Sequence, residues 1–167
     1  MVFKITFEAI VYALLYGAFI LILVKKQGAI KQLYNYPPQI QERAISLGIT
    51  TKEEMAANSK KYKPLGFAIM ITLCLIIICA INKEHTFFAG FVQSYIFLNA
   101  FSIFDAAVLD SAYFCHSKFW IIPGTEDMTK AYHDYWFHWK WAFIGLVSLI
   151  PVAAIIGGVT ALIGIII

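Results

Sequence analysis

Charge is what this chain has least of. Only 14% of its 167 residues are Asp, Glu, Lys or Arg, against about a quarter in an ordinary soluble domain. Arginine occurs once, as Arg43, which excludes phosphate recognition through several bidentate guanidinium clamps. The net charge of +3 is too small for the footprint of a nucleic-acid binder, so no nucleic-acid partner is expected. Cysteine occurs three times and never as a CxxC pair. Cys74 and Cys79 lie inside one apolar run and Cys115 at the edge of another, positions that suit buried thiols rather than a redox pair, a zinc site or a disulfide. The chain contains no HExxH and no GxSxG, which removes the zinc-protease and serine-hydrolase signatures. No internal repeat or low-complexity tract is visible.

What the chain has in excess is apolar length. It is 60% hydrophobic, and four runs approach or exceed the roughly 20 residues that cross a hydrocarbon core as a helix. They cover about 5–24, 65–82, 86–114 and 139–164. The fold class expected is all-α: a polytopic integral membrane protein, one bundle of four transmembrane helices over 1–167, with short amphipathic cytosolic or interfacial helices. The first run competes with a signal peptide. Only Lys4 precedes it, it is long for such a segment, and no small-x-small site comes before Lys25-Lys26, so the reading is a retained span. Ala9, Ala13 and Gly17 form a small-residue stripe in the first span, and Ala153, Gly157 and Ala161 in the fourth. Either stripe would admit a neighbouring helix or a second copy of the chain.

Between the first two spans lies the longest polar segment, expected as a helical hairpin over 31–63. Pro38 suits the first turn of QIQERAISLG and Gly48 its stop. Thr50-Thr51 ahead of Glu53-Glu54 reads as a second N-cap with first-turn acids, opening a helix that runs towards Pro64. Ile40, Ala44 and Leu47 share a face, so the first of these helices either lies on the membrane or packs in a solvated hairpin. The positive-inside rule gives orientation. Lys25, Lys26, Lys31, Arg43, Lys52, Lys60, Lys61, Lys63, Lys118, Lys130 and Lys140 flank one membrane side, and only Lys4 and Lys83 the other. The expectation is a plasma (inner) membrane protein with both termini extracytoplasmic and both long connections cytosolic.

The chemistry-bearing stretch is Phe104 to His138, with three of the four histidines and half of the ten acidic residues. Ionisable groups between apolar runs are costly and therefore need partners or a task. With a rise of about 1.5 Å per residue, Asp105 lies roughly 27 Å along the third span, near its cytosolic end. On an ideal α-helix Ser94, Asp105 and His116 share one face and Asn99 and Asp110 another. Asp105, Asp110 and His116 are the catalytic candidates, and Asn99, Lys118, Glu126, Asp127, His133 and His138 the binding candidates. Carboxylates are hard ligands for Mg²⁺ or Mn²⁺ holding a phosphate, so a divalent metal on Asp105, Asp110 and His116 is conceivable, though no spacing is diagnostic and the cofactor stays unknown. Asp134, four residues before His138, could orient its imidazole, and a haem between His116 and His138 is a weak further option.

Plainer readings stand beside these. The aspartates could pair with Lys118 or Lys63, Glu126 and Asp127 could be first-turn acids of a helix opened by Thr125, and His133 and His138 could belong to an aromatic interfacial belt. The acidic pair lacks the Gly and Arg pattern of CDP-alcohol phosphotransferases, and the RHPxYxG pattern of isoprenylcysteine methyltransferases does not occur. The function expected is binding or processing of a membrane-associated substrate, a lipid headgroup or lipid-linked phosphate, at the cytosolic mouth of the bundle. Two alternatives stay open: a non-catalytic accessory or assembly module, and an oligomeric transporter of ions or small molecules.

Overall fold

The computed structural model describes residues 2–166, which form helices and turns with no strand among them. Four helices are long and apolar enough to cross a membrane: α1 (Val2–Gln27), α3 (Lys52–Leu75), α4 (Phe87–Phe104) and α6 (Tyr135–Ile166), with α2 (Pro38–Ser46) and α5 (Thr129–Tyr132) in the two long connections. Their outer surfaces carry large apolar side chains such as Phe88, Val147 and Ile155, each more than half exposed. So much outward-facing hydrocarbon suits lipid, not water.

Among lipid-facing helices there is no hydrophobic effect to drive association, so close approach decides the packing. Helix α4 is the central element, flanked by α1 and α6. Gly90 and Gly157 set its crossing with α6: a Cβ on Gly157 would lie 2.8 Å from the Phe87 carbonyl oxygen. On the other side Gly17 of α1 faces the Phe104 ring. The small-residue stripes pack inside the protomer: Ala9, Ala13, Gly17, Ala153 and Gly157 are buried and Ala161 is partly open. Helix α1 is tied to α3 by two tyrosines, Tyr12 donating to the Met70 carbonyl (3.3 Å) and Tyr16 to the Gly66 carbonyl (3.1 Å).

The local signals in the polar segment are realised. Pro38 occupies the first turn of α2, and Gly48, at φ +70°, ends it as a Schellman motif: Ile49 N–H reaches Ala44 O and Gly48 N–H reaches Ile45 O. Thr51 and Glu54 form a reciprocal capping box at the start of α3. That helix then passes through Pro64 without a break, so the second arm of the expected hairpin and the second span are one helix. The face of α2 that carries Ile40 and Ala44 turns into the protein, while Leu47 at its end stays about half exposed. Ile40 and Ala44 are fully buried in an apolar cap built from both long connections, with Leu33, Tyr36, Trp120, Ile122 and Tyr132. Tyr36 donates to the Trp120 carbonyl at 2.9 Å, joining the two connections across this core.

Two spans end in π-helical turns, Ile76–Ile81 after α3 and Asp105–Phe114 after α4. In the second, Ser111 Oγ donates to Ala106 O and Cys115 N–H to Asp110 O, each five residues back. The helix expected to open at Thr125 does not form there. Thr125 is instead fully buried, its hydroxyl 2.7 Å from both the Ile122 carbonyl and the Tyr132 hydroxyl, and residues 123–128 are turns.

Candidate functional site

At the capped end the four spanning helices enclose a cavity of about 810 Å³. Its walls are Tyr16, Ile20 and Val24 of α1, Gly66 and Met70 of α3, the Asp105–Phe114 turn, and His138 and Ala142 of α6, with Tyr36 and Trp120 of the cap beside them. The wall is mostly apolar, and Asp105, Asp110, His138 and Lys63 break it, together with tyrosine side chains and Ser102.

The π-helix accounts for the pairing of the two aspartates. Five residues on an α-helix turn the side chain well round the axis, whereas in a π-helix residue i+5 lies one turn above residue i. Asp105 and Asp110 therefore both reach one cavity instead of two separate edges, which corrects the α-helical register assumed from the sequence. Ser94 stays on the α-helical part, fully buried and bonded to the Phe91 and Ala153 carbonyls, away from this site.

His138 is buried, with Phe114 edge-on to its ring at 5.1 Å. Its Nδ1 lies 3.0 Å from Asp110 Oδ2, and a carboxylate can only accept, so Nδ1 carries the proton. Asp110, not Asp134, orients this imidazole. Asp134 accepts from Phe137 N–H at 3.0 Å and caps the start of α6. His138 Nε2 and Trp120 Nε1, both on the lining of this cavity, are buried without a hydrogen-bond partner.

The other sequence candidates lie elsewhere. His116, His133, Lys118 and Glu126 line a smaller cavity of about 350 Å³ on the cap, where the two imidazoles stand 5.1 Å apart and Tyr135 meets His116 Nε2 at 3.2 Å. Asp127 is exposed on the neighbouring turn. Glu126 accepts from Gly124 N–H, and its own and that backbone N–H hold the carboxyl below the usual range. Asn99 is buried in α4 and donates to the Tyr95 carbonyl, with its Oδ1 unpartnered. Asp105, Asp110 and His116 are therefore not gathered, and no group of three or more His, Cys, Asp or Glu able to hold a metal ion occurs among the described residues. His116 and His138 line different cavities, which removes the geometric basis for a haem between them.

Burial also shapes the cap. It pushes the Tyr36 phenol well above its ordinary value, with Tyr132 adding to the shift. It also raises the Cys115 thiol to about 11, helped by the charges of Asp110 and Asp134.

Lys63, offered by the sequence as a partner for the aspartates, lines the large cavity and sits 5.4 Å over the Tyr34 ring, with no ion pair to either aspartate among the described residues. Sequence reasoning missed a second polar group at the opposite end of the bundle. Asn82 donates to Glu8 Oε2 (2.9 Å) and to Gln93 Oε1 (2.8 Å), just past the first π-turn. The Asn82 amide and the Lys4 ammonium, 3.7 Å from Glu8 Oε1, give the Glu8 carboxylate its partners inside an otherwise apolar run, a structural role. No family model matches the chain, and no curated protein or solved structure matches it either.

Proposed function

We propose that this membrane protein binds, and processes, a membrane-associated amphiphile whose polar part enters the large cavity at the capped end. The single observation carrying this reading is His138: an imidazole held by Asp110, with Nε2 buried and unpartnered, on the wall of a mostly apolar cavity that Asp105 also lines. A buried polar atom without a partner costs about 1–3 kcal/mol, and a ligand bonded to it offsets that cost. A histidine oriented by a carboxylate is also the usual arrangement of a general base, which is why processing is part of the proposal. The cavity walls include Phe67 and Trp141, both about half exposed on the outer face of the bundle, so an acyl chain can reach it sideways. In this reading the capped end faces the cytosol, because eleven of the thirteen basic residues flank it.

The test is lipid analysis of protein purified in mild detergent. Wild type is expected to retain a stoichiometric amphiphile, and Asn35→Trp, an exposed position at the cavity wall, to lose it while melting normally. Equal lipid content in the two proteins would contradict the proposal and favour a module that only docks a protein partner.

A further inference from the structure

The Asp105–Phe114 turn carries both aspartates of the cavity, and it is ten residues of π-helix, a conformation seldom longer than a single turn. Something beyond its own backbone has to hold it. One residue along each element from the Asp110–His138 contact lies a second bond between the same two elements: Trp139 Nε1–H donates to Ser111 Oγ at 3.2 Å. Ser111 in turn donates to the Ala106 carbonyl at 2.6 Å, five residues back. These directions do not depend on pH, because an indole N–H only donates and a serine hydroxyl has one proton to give. On an α-helix a serine hydroxyl reaches the carbonyl three or four residues back, so the bond to Ala106 marks the π register. Trp139 therefore grips the turn at the side chain that reports its register.

The geometry points to Ser111 and Trp139 as positioning residues: through their bond α6 holds the turn in π register, and that register brings Asp110 to His138. Neither side chain is on the cavity lining, so each acts on a ligand only through the Asp110–His138 pair. Were the turn to relax to α-helix, residue i+5 would lie about 140° round the axis from residue i, and Asp105 and Asp110 could no longer share one cavity. One serine–tryptophan bond thus assembles the site or lets it come apart, with both acid-base groups unchanged. The inference rests on the proposed function in taking the Asp110–His138 pair as the part of the cavity that serves a ligand, whereas the register itself needs no ligand.

The experiment is proton NMR of the full-length protein in mild detergent, with helix content followed by circular dichroism. It reads the proton held between His138 Nδ1 and Asp110 Oδ2, which burial of the imidazole shields from water, and assigns it by its absence in His138→Gln. Trp139→Phe keeps an aromatic ring and removes the N–H; it and Ser111→Ala are expected to lose this resonance at unchanged helix content. Ser111→Thr keeps the hydroxyl and is expected to retain it. Three results overturn the inference: the resonance intact in both Trp139→Phe and Ser111→Ala, its loss in Ser111→Thr as well, or its absence from wild type, where there is then no pair to position. Loss of helix content in step with the resonance also overturns it, since the bond is then a brace for the whole bundle. Lipid analysis of the same variants separates this inference from the proposed function. Joint loss of resonance and amphiphile supports both. Loss of the resonance with the amphiphile retained supports the positioning role and overturns the reading that rests on His138. The expected resonances in a wild type that retains no amphiphile overturn the proposed function alone.

Discussion

Asp110 accepts a hydrogen bond from His138 at 3.0 Å, joining the end of the third span to the start of the fourth. The bond does two things at once. It gives an intramembrane carboxylate a partner, and it fixes which imidazole nitrogen faces the cavity. Because both residues sit where the spans meet the cap, the same contact braces the bundle and shapes the site.

Removing Asp110 should therefore cost stability as well as function. Asp110→Ala strands a buried Nδ1–H and is expected to destabilise the protein by about 1–3 kcal/mol, the cost of an unsatisfied buried polar group. A thermal melt in detergent checks this. An unchanged melting temperature would show that the bond contributes nothing.

The crossing of α4 and α6 makes a paired prediction on adjacent glycines. A Cβ at Gly157 meets backbone at 2.8 Å, whereas one at Gly158 meets nothing within 4 Å. Gly157→Ala should destabilise by about 1–3 kcal/mol and Gly158→Ala should be neutral or mildly stabilising. Equal effects in the same melts would contradict the close approach.

In the cap, Thr51 closes a capping box with Glu54. Thr51→Ala should cost about 1 kcal/mol, read locally as faster amide exchange over residues 52–55 with the spans unaffected. No change in exchange there would mean the box is not formed.

The Cys115 thiol offers a reactivity test. Burial disfavours the thiolate, so raising its value from 9.0 to about 11 lowers the thiolate fraction at pH 8 about a hundredfold. The folded state keeps the proton, so this contribution to stability is present below pH 9 and lost as pH rises towards 11. Iodoacetamide should label Cys115 slowly at pH 8 in folded protein and rapidly after denaturation. Rapid labelling of the folded protein would contradict its burial.

The four spans, the Pro38 and Gly48 boundaries and the Thr51 cap were all legible because each rests on local chemistry, apolar length or turn preference. The site was legible only as a neighbourhood. Asp105 and Asp110 stood out as ionisable groups in an apolar run, but a period of 3.6 sends them to different faces, and nothing local announces the π-helical turn that reunites them. The partner of His138 was misassigned for a related reason. Asp134 is the neighbour four residues away in sequence, yet a helix start claims it as a cap, and the carboxylate that reaches the imidazole comes from another helix. Thr125 likewise resembles an N-cap locally and is drawn instead into the cap core by Tyr132. In each case a contact distant in sequence overrode a plausible local one.

Photo-crosslinking tests the central claim most directly. A phospholipid carrying a photoreactive group beside its headgroup is irradiated with the protein in bilayers, and the modified peptides are mapped. The account predicts adducts in 101–114 and 62–70, two of the stretches that wall the cavity, and their loss in Asn35→Trp. Adducts confined to outward-facing positions such as Val147 and Ile155, unchanged by that variant, would contradict it.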